Sequence, residues 1–245
     1  MARLHGKDAR VYLGGRDISG DVVSVDLSPS IETHDVTTFA SSGWRAFDPG
    51  LGAWEASFSG FYQTNAGGTS TTIGRQLEDI LGSNTTGASV LSIWLESGDG
   101  VGDAGFIASD AVTSKIGEAI AIGDLIKSTA TLKGNGRTAL DARLLHPLAT
   151  DSTSANGTSY DNAASSASGG RANLHITAAT GTGGIVKVQH SANNSTWVDL
   201  VTFTTAAAIG CQTSTVTGTV NRYIRTISTI NGSSSLTYVA GFARY

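Results

Sequence analysis

The chain has 245 residues, 20 acidic and 16 basic side chains, and a formal net charge of -4. That balance argues against an open, sequence-reading nucleic-acid binder, which would carry a basic patch. A single cysteine, Cys211, excludes an intrachain disulfide framework and a cysteine-based zinc cluster, and the 31 glycines follow no Gly-X-Y period.

In chain order, ARVYLGG (9–15) reads as a short strand closed by a Gly-Gly turn. DVVSVDLS (21–28) places Val23, Val25 and Leu27 on one face, and IETHDVTTF (31–39) continues extended. The segment from Thr37 to Gly52 reads as a long Gly-rich loop carrying Trp44 and Phe47. WEASFSGFY (54–62) alternates cleanly, with Trp54, Ala56, Phe58, Gly60 and Tyr62 on one face. TSTTIGRQLEDILGS (69–83) predicts a helix whose stripe is Ile73, Leu77, Ile80 and Leu81. Strands follow over 89–97 and within 105–137, where Ser128, Ala130 and Leu132 share a face.

Between Leu145 and about Arg171 the composition breaks to a polar run, ATDSTSANGTSYDNAASSASGG. Residues 1–146 carry 17 acidic and 11 basic side chains, whereas residues 147–245 carry 3 and 5. This predicts a first module over 1–146, a polar linker over 147–170 and a second module over 171–245. The second module predicts six strands, at 171–179, 184–191, 196–205, 213–220, 222–230 and 235–245. Six short strands in this length argue for a compact β-sandwich with Val186, Val188 and Trp197 in its core. The fold class is therefore all-β with one short helix, a sandwich or small barrel followed by a small sandwich.

Catalytic chemistry is not apparent in the sequence. His5, His34, His146, His175 and His190 form no metal-binding spacing. His34 and Asp35 would face opposite ways on a strand, and His175 and His190 could meet across a sheet. DGVGDAG (99–105) lacks the regular oxygen ligands and final glutamate of a calcium loop. There is no G-x-S-x-G, phosphate loop or dinucleotide fingerprint, so neither an enzyme nor a cofactor is expected. MARLHGKDAR has no apolar core of a signal peptide, and no apolar run is long enough to span a membrane. The chain is expected to be made in a cytoplasm.

The Thr37–Gly52 segment has two readings. Trp44 and Phe47 either fold back onto their own core or are buried by another subunit, with Arg45 pairing to a carboxylate there. The candidate contact residues are Thr37, Phe39, Trp44, Arg45, Phe47, Asp48 and Leu51.

The stretch DVVSVDLSPSIETHDVTTFASSGWRAFDPGLGAWEASFSGFY resembles the opening of major tail tube proteins of long-tailed bacteriophages. The resemblance covers roughly residues 8–140 and is strongest over 20–62. It implies a tail tube domain over 1–146, in a homo-oligomer of stacked, hexameric rings. Edge strands of neighbouring subunits would pair to line a lumen, and the Thr37–Gly52 loop would reach the next subunit or ring. The implied partners are further copies of the chain, a tape-measure protein and tail completion or tip proteins. Genomic DNA would pass without specific binding along an acidic wall, and the protein would reside in the virion tail. The second half, with GIVKVQHSANNSTWVDLVTFT, VNRYIRTISTI and LTYVAGFARY, resembles the immunoglobulin-like accessory sandwiches of phage structural proteins. That likeness implies a domain outside the tube, with host-surface glycans as a candidate partner through Trp197, Tyr223 and Tyr238, although each of these also fits a core position. The competing readings are a head decoration or other tail structural protein, and a carbohydrate-binding or adhesion module.

Overall fold

The computed structural model describes residues 6–61, 90–108, 110–134 and 136–245. The helix expected over 69–83 lies outside the described residues. Within them the architecture is all-β, and the one helical element is a 3-10 turn at Gly6–Asp8. The first strands are β1 (Arg10–Leu13), β2 (Arg16–Asp17), β3 (Val22–Asp35), β4 (Phe47–Phe61), β5 (Leu91–Trp94), β6 (Ala104–Ile107), β7 (Ala111–Ala119) and β8 (Lys127–Gly134). After them come β9 (Ala139–Asp151), β10 (Ala155–Asn156), β11 (Tyr160–Asp161), β12 (Gly170–Thr180) and β13 (Gly184–Ser191). The last four are β14 (Val198–Thr202), β15 (Gly210–Val216), β16 (Tyr223–Ile230) and β17 (Ser235–Arg244).

These strands form three sheets. The central one has eight strands in the order β15-β12-β17-β9-β6-β5-β1-β2, so both halves of the chain contribute to it. It rolls up until its two ends meet. The backbone N–H of Gly15, in the β1–β2 turn, donates to His175 Nδ1 on β12 at 3.3 Å. A Cβ on Gly15 would lie 2.1 Å from the carbonyl oxygen of Gly210 on β15, and its φ is +84°. Only glycine combines that conformation with that closeness.

Alternation then sorts side chains to the two faces of the rolled sheet. Tyr12, Trp94, Ile107, Ala142, Leu144, Val239 and Ala243 cluster inside the roll. Val11, Leu13, Leu91 and Ile93 alternate with them and pack outward against a four-stranded sheet, β3-β4-β8-β7. On the other flank Ala172, Leu174, Ile176, Tyr238 and Phe242 pack against a smaller sheet of β10, β11, β16, β13 and β14. The outer sheets thus clad opposite flanks of one rolled sheet, each over its own apolar core.

Several expectations meet this structure directly. In β4, Trp54, Ala56, Phe58 and Gly60 are buried as the alternation requires. The six strands of the second half all form, with shifted ends. The stretch expected as a polar linker, 147–170, is strand-paired along much of its length. β9 runs through the expected boundary and pairs with β17, Ala149 opposite Tyr238. β10 and β11 both pair with β16. Ser, Asn and Gly in this run make short strands and turns here because β16 and β17 offer them hydrogen-bonding edges.

Trp197 departs from the core position expected of it. It precedes β14, after the 192–196 turn, and is half-buried, with the Arg225 guanidinium 4.2 Å from its ring centre. Val201 and Phe203 supply the apolar groups on that side, alongside Val186 and Val188.

Candidate self-assembly surface

The four-stranded sheet continues beyond its own core. Up to Pro29 on β3 and from Trp54 on β4, one face rests on the rolled sheet. Past that level both strands are exposed along almost their whole length. Seven residues of β4, 47–53, therefore project as an arm about 23 Å long at ~3.3 Å per residue, with the 36–46 loop at its tip. The loop is shorter than expected, because residues 47–52 belong to β4.

Local hydrogen bonds shape the tip. Val36 N–H donates to the Ala46 carbonyl at 2.9 Å, and Ala46 N–H to Thr37 Oγ1 at 3.0 Å. Thr37 N–H donates to Asp35 Oδ1 at 2.9 Å, and hydrogen bonds from Thr37 hold the Asp35 carboxyl below its usual range. Ser42 and Gly43 take left-handed φ values of 50° and 84° to turn the chain. Arg45 lies 3.7 Å from Asp35, both solvent-exposed, so this pair adds little stability.

That shape turns the apolar residues outward. Phe39 is fully exposed, Trp44 is 82% exposed and Leu51 78%, and Phe47, Ile31 and Val36 are also exposed. Asp48 is exposed on the arm beside them. Trp44 and Phe47 do not fold back onto the core. A second exposed apolar group, Ile120, Ile122 and Leu125, occupies the turn between β7 and β8. Neither alternation nor loop length singles these three out in the sequence, because their exposure depends on where the hairpin ends.

Register puts the two groups at opposite ends of the sheet. Phe61 pairs with Lys127 and Glu55 with Lys133, so β8 begins where β4 ends. Ala119 of β7 also pairs with Lys127, which sets the β7–β8 turn at the end away from the arm. The outer face of this sheet is mostly polar and of mixed sign, with Phe61 and Val112 as apolar members. Ser57, Ser59, Thr129 and Thr131 lie among Glu55, Lys127 and Lys133. The acidic excess of the first half is not gathered on this face.

The remaining polar clusters are structural. Ser92 Oγ lies 2.9 Å from His175 Nε2, but both residues are sealed inside the roll, where burial pushes the imidazole pKa down to about 3. His175 and His190 lie in different sheets and do not meet. His34 lies against Gly50 across the arm, where a Cβ would come 2.7 Å from its Nε2. In 99–105, Asp103 accepts the Gly100 N–H at 3.1 Å and closes a turn. Among the described residues no three His, Cys, Asp or Glu side chains are placed to hold a metal ion. Tyr238 is buried, with its hydroxyl donating to Asp151 at 2.9 Å. Tyr223 has the Arg222 guanidinium 4.9 Å from its ring centre, so it and Trp197 each have a ring face occupied by an arginine.

No family model and no curated protein matches this chain. Among solved structures it is similar to a chain in the virion of a native gene transfer agent particle. That match has 14% identity, covers 56% of this chain and 97% of the other, and has a TM-score of 0.43. It is also similar to the SPP1 tail tube, at 10% identity over 55% of this chain and 77% of that one, TM-score 0.39. A longer match, over 95% of this chain and 98% of the other, is to the SPP1 Dit protein, described as a hub adsorption apparatus protein, at 12% identity and TM-score 0.34.

Proposed function

We propose that this protein is a non-enzymatic structural subunit of a phage tail, and that its copies close into rings that stack as the tail tube. The observation that carries the reading is the strand sense at the two edges of the four-stranded sheet. All three pairings within it are antiparallel, so β3 and β7, at its edges, run in opposite directions. Neither edge has a strand neighbour among the described residues. Copies related by rotation about an axis along the strands therefore set β7 of one beside β3 of the next in antiparallel order. Every junction then continues the same sheet, and closure removes the bare edges.

Six copies, the number implied by the sequence resemblance, would close roughly 24 strands at about 4.8 Å each, a barrel about 37 Å across. Its inner wall would be the Ser/Thr-rich, mixed-sign face of β4 and β8. Short hydroxyl side chains predominate there and the charges are few, Glu55 against Lys127 and Lys133, which suits a conduit for DNA and for a tape-measure protein. Tail completion or tip proteins would meet the ends of the stack. The sheet formed by β13, β14 and β16 would lie outside the tube wall, and the protein would be part of the virion.

Negative-stain electron microscopy of the full chain at rising concentration tests the reading. Rings or hollow tubes with a central channel are the expected result. Compact trimers without a channel would move the protein to a decoration role, and a persistent monomer that never enters preformed tail particles would sink the tube reading.

A further inference from the structure

We infer that the β7–β8 turn is the docking site for the β3–β4 arm tip of an axially adjacent copy of this chain. The inference rests on the tube reading, which supplies the axis along the strands. It adds the receptor: Ile120, Ile122 and Leu125.

Both apolar groups are presented by ordered turns. At the arm tip Thr37 hydrogen-bonds to both Asp35 and Ala46, and Phe39 and Trp44 stand exposed on the turn so ordered. At the β7–β8 turn Asp124 Oδ1 accepts the Leu125 N–H at 2.8 Å, and Asp124 Oδ2 pairs with Lys127 at 3.0 Å. Gly123 turns the chain with a φ of +90°, and Ile122 stands fully exposed beside it. Two such groups cannot satisfy each other within one copy. They lie at opposite ends of a sheet whose β3 strand alone, at 14 residues, is about 46 Å long.

Between copies there are two ways to bury them. A symmetric tip-to-tip contact would cover the arm and leave the turn bare unless turns also paired with turns, and it would reverse the direction of alternate copies, which stacked rings of one orientation do not allow. A head-to-tail contact covers both groups in every copy and repeats without limit along the axis. Each end carries an internal ion pair, Asp35–Arg45 on the arm and Asp124–Lys127 at the turn, beside an exposed carboxylate, Asp48 on the arm and Glu118 before the turn, so the contact rests on apolar burial rather than on charge complementarity.

The test uses the full chain, with Phe39→Cys in one preparation and Ile122→Cys in another. Unmodified chain, whose one cysteine is Cys211, is the control. Under mild oxidation the mixture of the two is expected to give a disulfide-linked dimer that neither gives alone. Dimers from Phe39→Cys alone, with none specific to the mixture, would overturn the inference. A second variant, Ile122→Asp with Leu125→Asp, is expected to melt like the parent and form rings that no longer stack, so that tube length collapses to single rings. Tubes of normal length from that variant would overturn the docking site and leave the tube reading intact. If the parent neither forms rings nor enters preformed tail particles, the tube reading falls and the docking site falls with it.

Discussion

Asn173, on β12, reaches across the rolled sheet to the backbone around Leu91: its Nδ2 lies 3.1 Å from the Leu91 carbonyl oxygen and 2.9 Å from that of Ala108. Its Oδ1 accepts the Thr213 hydroxyl at 2.8 Å. One buried side chain thus ties the second half of the chain to the first. Asn173→Ala should destabilise the fold by about 2–3 kcal/mol, because buried polar groups lose their partners. Denaturant unfolding of the variant checks this, and one transition shared by both halves is expected from the common sheet.

Trp94 fills the roll because Gly241 makes room for it. A Cβ on Gly241 would lie 2.1 Å from Trp94 Cη2. Gly241→Ala should therefore cost about 1–3 kcal/mol through overpacking. Trp94→Ala should cost about 3–5 kcal/mol through the cavity it leaves. Thermal melts of the two variants should rank them in that order.

Stability should fall as the pH drops below about 6.5, before carboxylates begin to protonate. His175 is held neutral by burial, with its pKa pushed down to about 3, and burial also lowers the pKa of His146 and His190. Below the unfolded value of about 6.5 the unfolded chain takes up protons that the native state refuses. Each such histidine adds a slope of up to ~1.4 kcal/mol per pH unit, lost as pH falls towards its folded value. His175→Asn should flatten the profile between pH 6.5 and 4.5, measured by denaturant unfolding across that range.

Assembly and stability should separate at the arm. Phe39→Ala and Trp44→Ala remove side chains that touch no core, so unfolding free energy should change by less than about 0.5 kcal/mol. The same variants should fail to form tubes at concentrations where the parent does, as read by sedimentation.

Limited proteolysis should spare residues 147–170. Gly157 N–H donates to the Thr226 carbonyl at 2.9 Å, and Arg222 holds Asp161 through two hydrogen bonds of 2.7 and 2.6 Å. Among the described segments, early cuts are expected in the exposed 36–46 loop instead. Mass spectrometry of the first fragments would distinguish the two.

What the sequence determined by itself was local. Period-two alternation marked β4 and its buried face, the Gly-Gly turn marked the end of β1, and the spacing of turn residues marked the six strands of the second half. Trp44 and Phe47 stood out because aromatics in a long polar loop need a reason. Tertiary structure decided which strand lies beside which. The polar run at 147–170 becomes strand only because β16 and β17 present open edges to it. Trp197 leaves the core because Val201 and Phe203 occupy that side. Ile120, Ile122 and Leu125 matter only once pairing with β4 and β8 sets them at the far end of the sheet. Alternation tells a strand which face is apolar, whereas its neighbour is chosen by contacts between residues far apart in the chain. For that reason two modules in sequence fold around one rolled sheet.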